Sequence, residues 1–271
     1  MPLDTSLYPL TRLRPDGRRW NELRHIHAQV STNAAADGSS YLEMGNTKVL
    51  CVVTGPGEQR GGQRREGRER DEAQITVEIN QAAFAGLDRK RSMKSDRRVT
   101  EMQNVVARSM ATTLFSKMYP HSTISINLHV LSVDGSLLAA CLNATTLALV
   151  DAGTPMKDYV CACTCGLSPL APSLLRQGED TQDPLLDVNG LEEQEIPFLT
   201  VATLGAESSR VVALVLEKRV RMEMIETMLG SCIDGCRKIR TALDQTIRER
   251  GASVMSAAAE GSALEGAEFN G

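Results

Sequence analysis

Residues 123–153 read TISINLHVLSVDGSLLAACLNATTLALVDAG, and this stretch decides the fold. In its first part apolar and polar residues alternate, as they do in a half-buried strand, with apolar positions at Ile124, Ile126, Leu128 and Val130. Residues 137–150 are almost wholly apolar, which predicts a helix inside the protein. Asp134, Gly135 and Ser136 lie between the two patterns, so we expect a strand that leads directly into a buried helix.

The junction at Ser136 would be a helix N-terminus. Free backbone N–H groups and the helix dipole make such an end an anion site. Enzymes that bind phosphate there usually add an arginine or a hydroxyl group. The residues that follow here carry neither group, since they are Leu137, Leu138, Ala139 and Ala140. The sequence therefore predicts the architecture of a phosphate site without its cation.

Composition limits the class of protein. The chain has 271 residues, of which 42% are hydrophobic, enough for one large domain or two small, closely packed ones. A net charge of -4 excludes a global basic field for nucleic acid, although local basic patches can still act. Seven cysteines without zinc-finger spacing are expected to be buried thiols in a reducing compartment. We expect neither a signal peptide nor a membrane span.

Strand patterns followed by a helix pattern occur twice along the chain. The first half predicts strands near 24–34, 39–44, 47–54 and 74–80, then a helix that Ser95 or Asp96 caps and that runs to about Met118. The second half predicts the buried helix at 136–152, strands near 159–168, 195–204 and 209–217, and an amphipathic helix at about 221–250.

The twofold pattern predicts an α+β protein with two β/α halves that share a core. We expect one domain over residues 1–250, with halves at about 20–135 and 136–250. From Gly251 onward the sequence is mainly Ala, Gly, Ser and Glu, with few apolar anchors. Residues 251–271 are therefore expected to form a disordered C-terminal tail.

Several motifs, spread over about 250 residues, resemble those of the ribonuclease PH family in the expected order. They are RPDGRR at 14–19, ADGSSYLEMGNTK at 36–48, VTGP at 53–56, Arg97-Arg98 and LALVDAG at 147–153. The resemblance implies the ribonuclease PH-like fold, which is ribosomal protein S5 domain 2-like, with two pseudo-repeated halves. Within the family the chain most resembles the eukaryotic exosome ring subunits that correspond to the catalytic subunit of the archaeal ring.

Active members of this family attack the 3′-terminal phosphodiester of RNA with inorganic phosphate. Their phosphate loop reads close to Asp-Gly-Gly-Thr-Arg-Thr, whereas this chain has Ser136, Leu137, Leu138 and Ala139 after Asp134-Gly135. Because one oxyanion donor is worth roughly 10²–10³ in rate, the loss of an arginine and two hydroxyls predicts no useful phosphorolysis. We expect no catalytic residues, and Ser136 and Leu138 are relic positions.

The family's two acidic residues, six positions apart, align with Asp187 and Glu193. These are the candidates for a residual Mg²⁺ site, although no metal or other cofactor is expected. A second interpretation is that Asp187 ends a strand and that Glu192-Glu193 is a solvated helix start. The alternative function is an active phosphate-dependent 3′→5′ exoribonuclease, in which Asp187 and Glu193 hold Mg²⁺ and Ser136 helps to carry phosphate.

The resemblance also implies RNA binding. Arg97 and Arg98 align with a family pair that holds the substrate backbone, and Arg91 and Lys94 precede them in the same basic segment. Such residues neutralise phosphates without sequence preference. Arg64 and Arg65 lie in the charged loop 57–73, where a solvated charge run is the alternative interpretation. Only 3% of residues are aromatic, so base stacking is expected to be minor.

These expectations lead to one functional hypothesis. The chain is a non-catalytic exosome ring subunit that lines a channel and binds single-stranded RNA for an associated hydrolytic nuclease. The implied partners are other ribonuclease PH-like ring subunits in a hetero-hexamer, S1/KH cap proteins and the nuclease. The implied locations are the nucleus, nucleolus and cytoplasm, where the complex would process rRNA, turn over mRNA and survey RNA.

Overall fold

The computed structural model describes residues 13–58, 72–86, 89, 96–168, 182–205 and 210–268, with side chains described as far as residue 257. Four of the predicted RNA-binding residues lie outside these ranges: Arg64, Arg65, Arg91 and Lys94. Arg97, Arg98, Ser136, Leu138, Asp187 and Glu193 all lie within them.

The first half contains a five-stranded sheet and one long helix. The strands are β1 (Ile26–Val30), β2 (Gly38–Met44), β3 (Thr47–Glu58), β4 (Gln74–Gln81) and β5 (Ser122–Ser132), in the order β1-β2-β3-β5-β4. Helix α1 (Arg97–Thr113) connects β4 to β5, which pair in parallel. The other pairings are antiparallel, and the tight β2–β3 hairpin turns at Gly45-Asn46 as predicted.

Helix α2 (Leu137–Asp151) begins directly after β5, as the opening stretch of sequence predicts. Every residue from Ala139 to Leu149 is buried. The helix contacts β2 and β3 of the first sheet and β6 (Val160–Leu167) of the second. Because α2 packs between the sheets, their apolar faces form one continuous core, and the prediction of two halves with a shared core is confirmed.

The second sheet contains β6, β7 (Pro184–Leu186), β8 (Phe198–Leu204) and β9 (Arg210–Glu217), all antiparallel, in the order β7-β6-β8-β9. A polar contact fixes α2 against β6: the Asn143 side chain donates to the Ala162 carbonyl at 2.9 Å and accepts from the Ala162 N–H at 2.8 Å. The short helix α3 (Gly190–Glu195) follows β7 and carries Glu192 and Glu193. It lies at the junction between the halves.

Helix α4 (Met222–Glu268) covers the second sheet through buried residues at helical spacing, Met228, Cys232, Cys236, Ile239 and Leu243. The sequence predicted that this helix ends near Arg250 and that a disordered tail follows; the structure instead continues the helix to Glu268. Residues 251–257 are exposed. Alanine has the lowest cost of helix formation, and no proline occurs in residues 251–268, which explains how the helix extends through these exposed residues 251–257 and beyond.

All seven cysteines are buried and free, in agreement with the prediction of buried thiols. Burial raises the pKa of the Cys141 thiol to about 12, so this group stays protonated and unreactive. None of the described helices is both long and apolar enough to cross a bilayer.

Candidate functional site

The loop Asp134–Ser136, between β5 and α2, adopts a left-handed backbone, with φ of +76° at Gly135 and +54° at Ser136. The end of the β2–β3 hairpin holds this loop from one side. Thr47 Oγ1 donates to the Gly135 carbonyl at 2.8 Å and accepts from the Asp134 N–H at 3.0 Å. Asn46 Nδ2 donates to Asp134 Oδ2 at 2.9 Å. Two residues of one turn therefore fix the predicted phosphate loop.

The segment Asp187–Gly190 holds the same loop from the other side. The Gly190 N–H donates to Asp134 Oδ1 at 3.2 Å, and Ser136 Oγ donates to the Val188 carbonyl at 3.0 Å. A Cβ on Gly135 would lie only 2.4 Å from the Val188 carbonyl oxygen, so only glycine fits there. The structure thus brings the loop Asp134–Ser136 and the acidic segment, residues 187–190, into direct contact.

The Glu193 side chain lies at the N-terminal end of α2. Its Oε1 accepts a hydrogen bond from the Ser136 N–H at 2.6 Å. Burial raises the pKa of Glu193, and the Ser136 N–H and the Arg98 charge oppose that rise only in part. One of the backbone N–H groups of the predicted anion site is therefore bound to a carboxylate of the chain itself. The Ser136 hydroxyl is also engaged, since it donates to Val188.

Asp187 is fully buried and paired with Arg24. Its Oδ2 accepts from the Arg24 N–H at 3.0 Å and from Nε at 2.9 Å, while Oδ1 accepts from an Arg24 Nη at 2.6 Å. Burial alone would raise the pKa of Asp187, but the hydrogen bonds and charge of Arg24 outweigh it and lower the pKa. Both carboxylate oxygens are thus committed to an arginine.

A Mg²⁺ ion does not fit this donor set. Such an ion needs free carboxylate oxygens, and those of Asp187 bind Arg24 while Oε1 of Glu193 binds Ser136. Within the described part of the chain, no cluster of three or more His, Cys, Asp and Glu residues is placed to hold a metal ion. Metal binding at Asp187 would require its contacts with Arg24 to break.

Glu192 corrects the interpretation of Glu192-Glu193 as a solvated helix start. Its side chain is only 2% exposed, and Oε1 accepts from Arg14 Nε at 2.8 Å. Oε2 accepts from the Asn189 N–H at 3.0 Å and completes a capping box at the start of α3. Glu192 can be buried because Arg14, which is remote in sequence, neutralises its charge.

Sequence reasoning missed the roles of three arginines in residues 14–24. Arg14 pairs with Glu192, Arg24 pairs with Asp187, and Arg18 donates to Asn189 Oδ1 at 2.7 Å. Arg14 and Arg18 belong to the motif at 14–19, and that motif was the feature of the sequence that could have indicated a role for them. Because that motif gave no partner positions, it could not show that residues 14–24 tie the acidic segment to the first half.

Lys218 is a further residue that the sequence did not single out. It follows β9, has φ of +72°, and donates from Nζ to the carbonyls of Glu193 (3.1 Å), Gln194 (2.7 Å) and Ile196 (3.0 Å). These carbonyls lie at the C-terminal end of α3, where a cation is favourable. The lysine therefore fixes the helix that carries Glu193.

The predicted arginine pair lies at the start of α1, where Asp96 Oδ1 accepts from the Arg98 N–H at 3.2 Å as a cap. Arg98 approaches both carboxylate oxygens of Glu217 at 3.4 Å, with its side chain 64% exposed. Arg97 is 93% exposed and pairs with Glu101 at 2.9 Å. The charge of Arg98 also acts on Glu193, whereas Arg97 lies on the open face of the helix.

Leu138 is half-buried and packs against the core. The family arginine that aligns with this position must reach outward to hold an anion, whereas a leucine gains by turning inward. The position is therefore part of the apolar packing of α2.

The buried Arg24–Asp187 pair predicts that acid weakens the folded protein. Because the folded pKa of Asp187 lies below the ordinary 3.8, its stabilisation is fully present above that pH and is lost as pH falls through the folded pKa. We expect the free energy of unfolding, measured with urea, to decrease as the pH is lowered below about 4. In the double variant Arg24→Met with Asp187→Leu this decrease should be smaller. An equal decrease in both proteins would show that the Arg24–Asp187 pair is not its cause.

Similarity to known proteins indicates the class of protein. The profile of the 3′ exoribonuclease family, domain 1 (RNase_PH), matches residues 22–155. The crystal structure of rice (Oryza sativa) Rrp46 superposes with a TM-score of 0.71 and 24% identity, over 86% of this chain and 100% of that one, which supports the fold.

Closer relatives identify the subgroup. The exosome complex component ski6 of Schizosaccharomyces pombe is 37% identical over 244 residues, which are 90% of this chain and 94% of the relative. The exosome complex component RRP41 of Homo sapiens is 37% identical over 245 residues, 89% of this chain and 94% of the relative. The chain therefore belongs to the ribonuclease PH family. Within it, the chain is of the RRP41 and Ski6 type of exosome ring component.

Proposed function

We propose that this protein is a non-catalytic ring subunit of the RNA exosome that lines the central channel and binds single-stranded RNA. An associated hydrolytic nuclease would then carry out 3′→5′ processing and degradation, including rRNA maturation, mRNA turnover and RNA surveillance. The exosome names of the relatives support the assembly. The observation that carries the non-catalytic assignment is the Glu193 carboxylate on the Ser136 N–H.

Phosphorolysis requires an inorganic phosphate held in line with the scissile bond. In this chain the Ser136 N–H binds Glu193, the Ser136 hydroxyl donates to Val188, and Leu138 packs inward. Neither a cation nor a free hydroxyl group of the loop is left to hold the nucleophile. The same geometry argues against the alternative enzyme, in which Asp187 and Glu193 would hold Mg²⁺.

RNA binding is assigned to the start of α1. Arg97 and Arg98 are both well exposed, so their guanidinium groups can reach a phosphate backbone. Each is also close to a carboxylate, Glu101 or Glu217, but exposed ion pairs are weak and exchange readily. A contact of this kind does not read base sequence, which suits a channel for arbitrary RNA.

Partners and location follow from the assembly. The ring would be a hetero-hexamer of ribonuclease PH-like subunits, with S1/KH cap proteins on one face and the hydrolytic nuclease on the other. We propose that no cofactor is needed by this subunit. The complex would act in the nucleus, the nucleolus and the cytoplasm.

The test is phosphate-dependent release of nucleoside diphosphate from labelled single-stranded RNA, with the purified chain alone and in the reconstituted ring, while Mg²⁺ and phosphate are varied. We expect no diphosphate above background in either sample. In the ring, Arg97→Glu with Arg98→Glu should reduce RNA protection at least tenfold at physiological salt, because two phosphate contacts become repulsive.

Arg237→Glu is the matched control, since Arg237 is an exposed arginine on α4 that also pairs with a carboxylate, Asp234. It should leave RNA protection unchanged. Diphosphate that depends on phosphate and disappears in Asp187→Asn would show that the protein is an enzyme. Equal protection by the Arg97/Arg98 variant and the control would remove the RNA-binding assignment.

A further inference from the structure

The N-terminus of α2 already holds an anion that the chain provides. Ser136 precedes the first turn of α2, and its N–H and those of the next three residues have no carbonyl partner within the helix. Glu193 Oε1 lies 2.6 Å from the Ser136 nitrogen. A charged carboxylate at this end is favoured by the helix dipole in the same way as a phosphate oxygen.

The carboxylate is held there by both ends of α3. At the first turn, the capping box of Asn189 and Glu192 is anchored to Arg14, and the Gly190 N–H binds Asp134. At the last turn, Lys218 binds three carbonyls, including that of Glu193. The helix therefore has little freedom to rotate and move the side chain away from Ser136.

The length of the side chain matters. An aspartate at position 193 would withdraw the carboxylate by roughly one C–C bond, about 1.5 Å, and lose the short contact with Ser136. The glutamate is long enough to reach the helix end. A phosphate ion at the same N–H groups would meet the Glu193 carboxylate at contact distance. Glu217 adds a second negative charge nearby, while Arg98 and Arg24 are the positive charges that act on Glu193 in the opposite sense.

We propose that Glu193 is an internal anion that occupies the α2 N-terminus and excludes inorganic phosphate from it. This inference rests on the proposed lack of phosphorolysis and deepens it. The Glu193 carboxylate would keep phosphate away from the α2 N-terminus. The absence of an arginine in the loop would weaken phosphate binding there further. Glu193 is thus a specificity-determining residue, because its own carboxylate binds the Ser136 N–H in place of a free anion.

The test measures the backbone amide resonance of Ser136 in the isotope-labelled full-length chain during titration with inorganic phosphate, at constant pH and ionic strength. In the unmodified protein we expect no phosphate-dependent shift of this resonance. In Glu193→Ala the resonance should shift saturably as phosphate is added. Glu193→Gln, which keeps the side-chain length but removes the negative charge, should also show a saturable shift, and it provides the test should the alanine variant fold poorly.

Glu195→Ala is the matched control, because it removes a carboxylate from the same helix without touching the Ser136 contact. It should behave as the unmodified protein does. A saturable shift in the unmodified protein, or no shift in both Glu193 variants, would overturn the inference. Phosphorolysis is assayed separately: diphosphate release by the unmodified ring would refute the proposed function, while the Ser136 titration still decides whether Glu193 excludes phosphate.

Discussion

Replacement of Arg24 by alanine is expected to lower the free energy of unfolding by about 3–5 kcal/mol, the cost of removing one partner of a buried ion pair. Asp187 is fully buried, and three of its hydrogen bonds come from Arg24, two of them from the side chain. Without the guanidinium, an ionised carboxylate would remain in the protein interior. It would have to accept a proton or draw water into the site, and both cost stability.

Urea denaturation at neutral pH measures this effect. The matched control is Arg97→Ala, which removes an arginine of the same size from an exposed i,i+4 pair with Glu101. Exposed helix pairs are worth only about 0.3–0.5 kcal/mol, so the control should change stability by less than about 1 kcal/mol. Similar losses in the two variants would show that the Arg24–Asp187 pair does not have the structural role assigned to it.

Gly135→Ala is the second large effect, with an expected loss of about 3 kcal/mol from steric overlap and left-handed strain combined. The added Cβ would lie 2.4 Å from the Val188 carbonyl oxygen, 2.5 Å from the Asn189 carbonyl carbon and 2.6 Å from the Gly190 nitrogen. All three are backbone atoms, so relief would require the acidic segment to move away from the loop.

Gly153→Ala separates the two causes. Gly153 has a similar φ of +67°, but nothing lies within 4 Å of the position that its Cβ would take. Its loss should be about 1–2 kcal/mol, the strain of a left-handed residue alone. The difference between the two variants in thermal or urea unfolding then measures the overlap. A Gly135 variant no less stable than the Gly153 variant would mean that the loop and the acidic segment do not pack as closely as described.

Local patterns predicted much of the fold correctly. The strand–junction–helix stretch appears as β5, the Asp134–Ser136 loop and α2, and the β2–β3 hairpin turns where a tight turn was expected. These features depend on side-chain alternation and turn residues close together in sequence. The end of α4 was mispredicted, because a segment without apolar anchors resembles a disordered tail even when its residues favour a helix.

The candidate site was only half predictable. Alignment of motifs identified Ser136, Asp187 and Glu193 as relic positions, and the missing cation was read directly from Leu137 and Leu138. The partners could not be read in this way. Arg24 and Asp187 are 163 residues apart, and Ser136 and Glu193 are 57 residues apart, so nothing local links them.

The sequence by itself determined the buried helix, the strands on either side of it and the absence of arginine and threonine at residues 136–139, because these depend on residue type and spacing. Only the tertiary structure decided which partners the polar groups near the loop have. Packing α2 between two sheets brings α3 onto the N-terminal end of α2, where Glu193 binds the Ser136 N–H and Arg24 neutralises Asp187. A carboxylate's role depends on which cation or N–H group the fold places within about 3 Å of it, and that placement is a property of the assembled core.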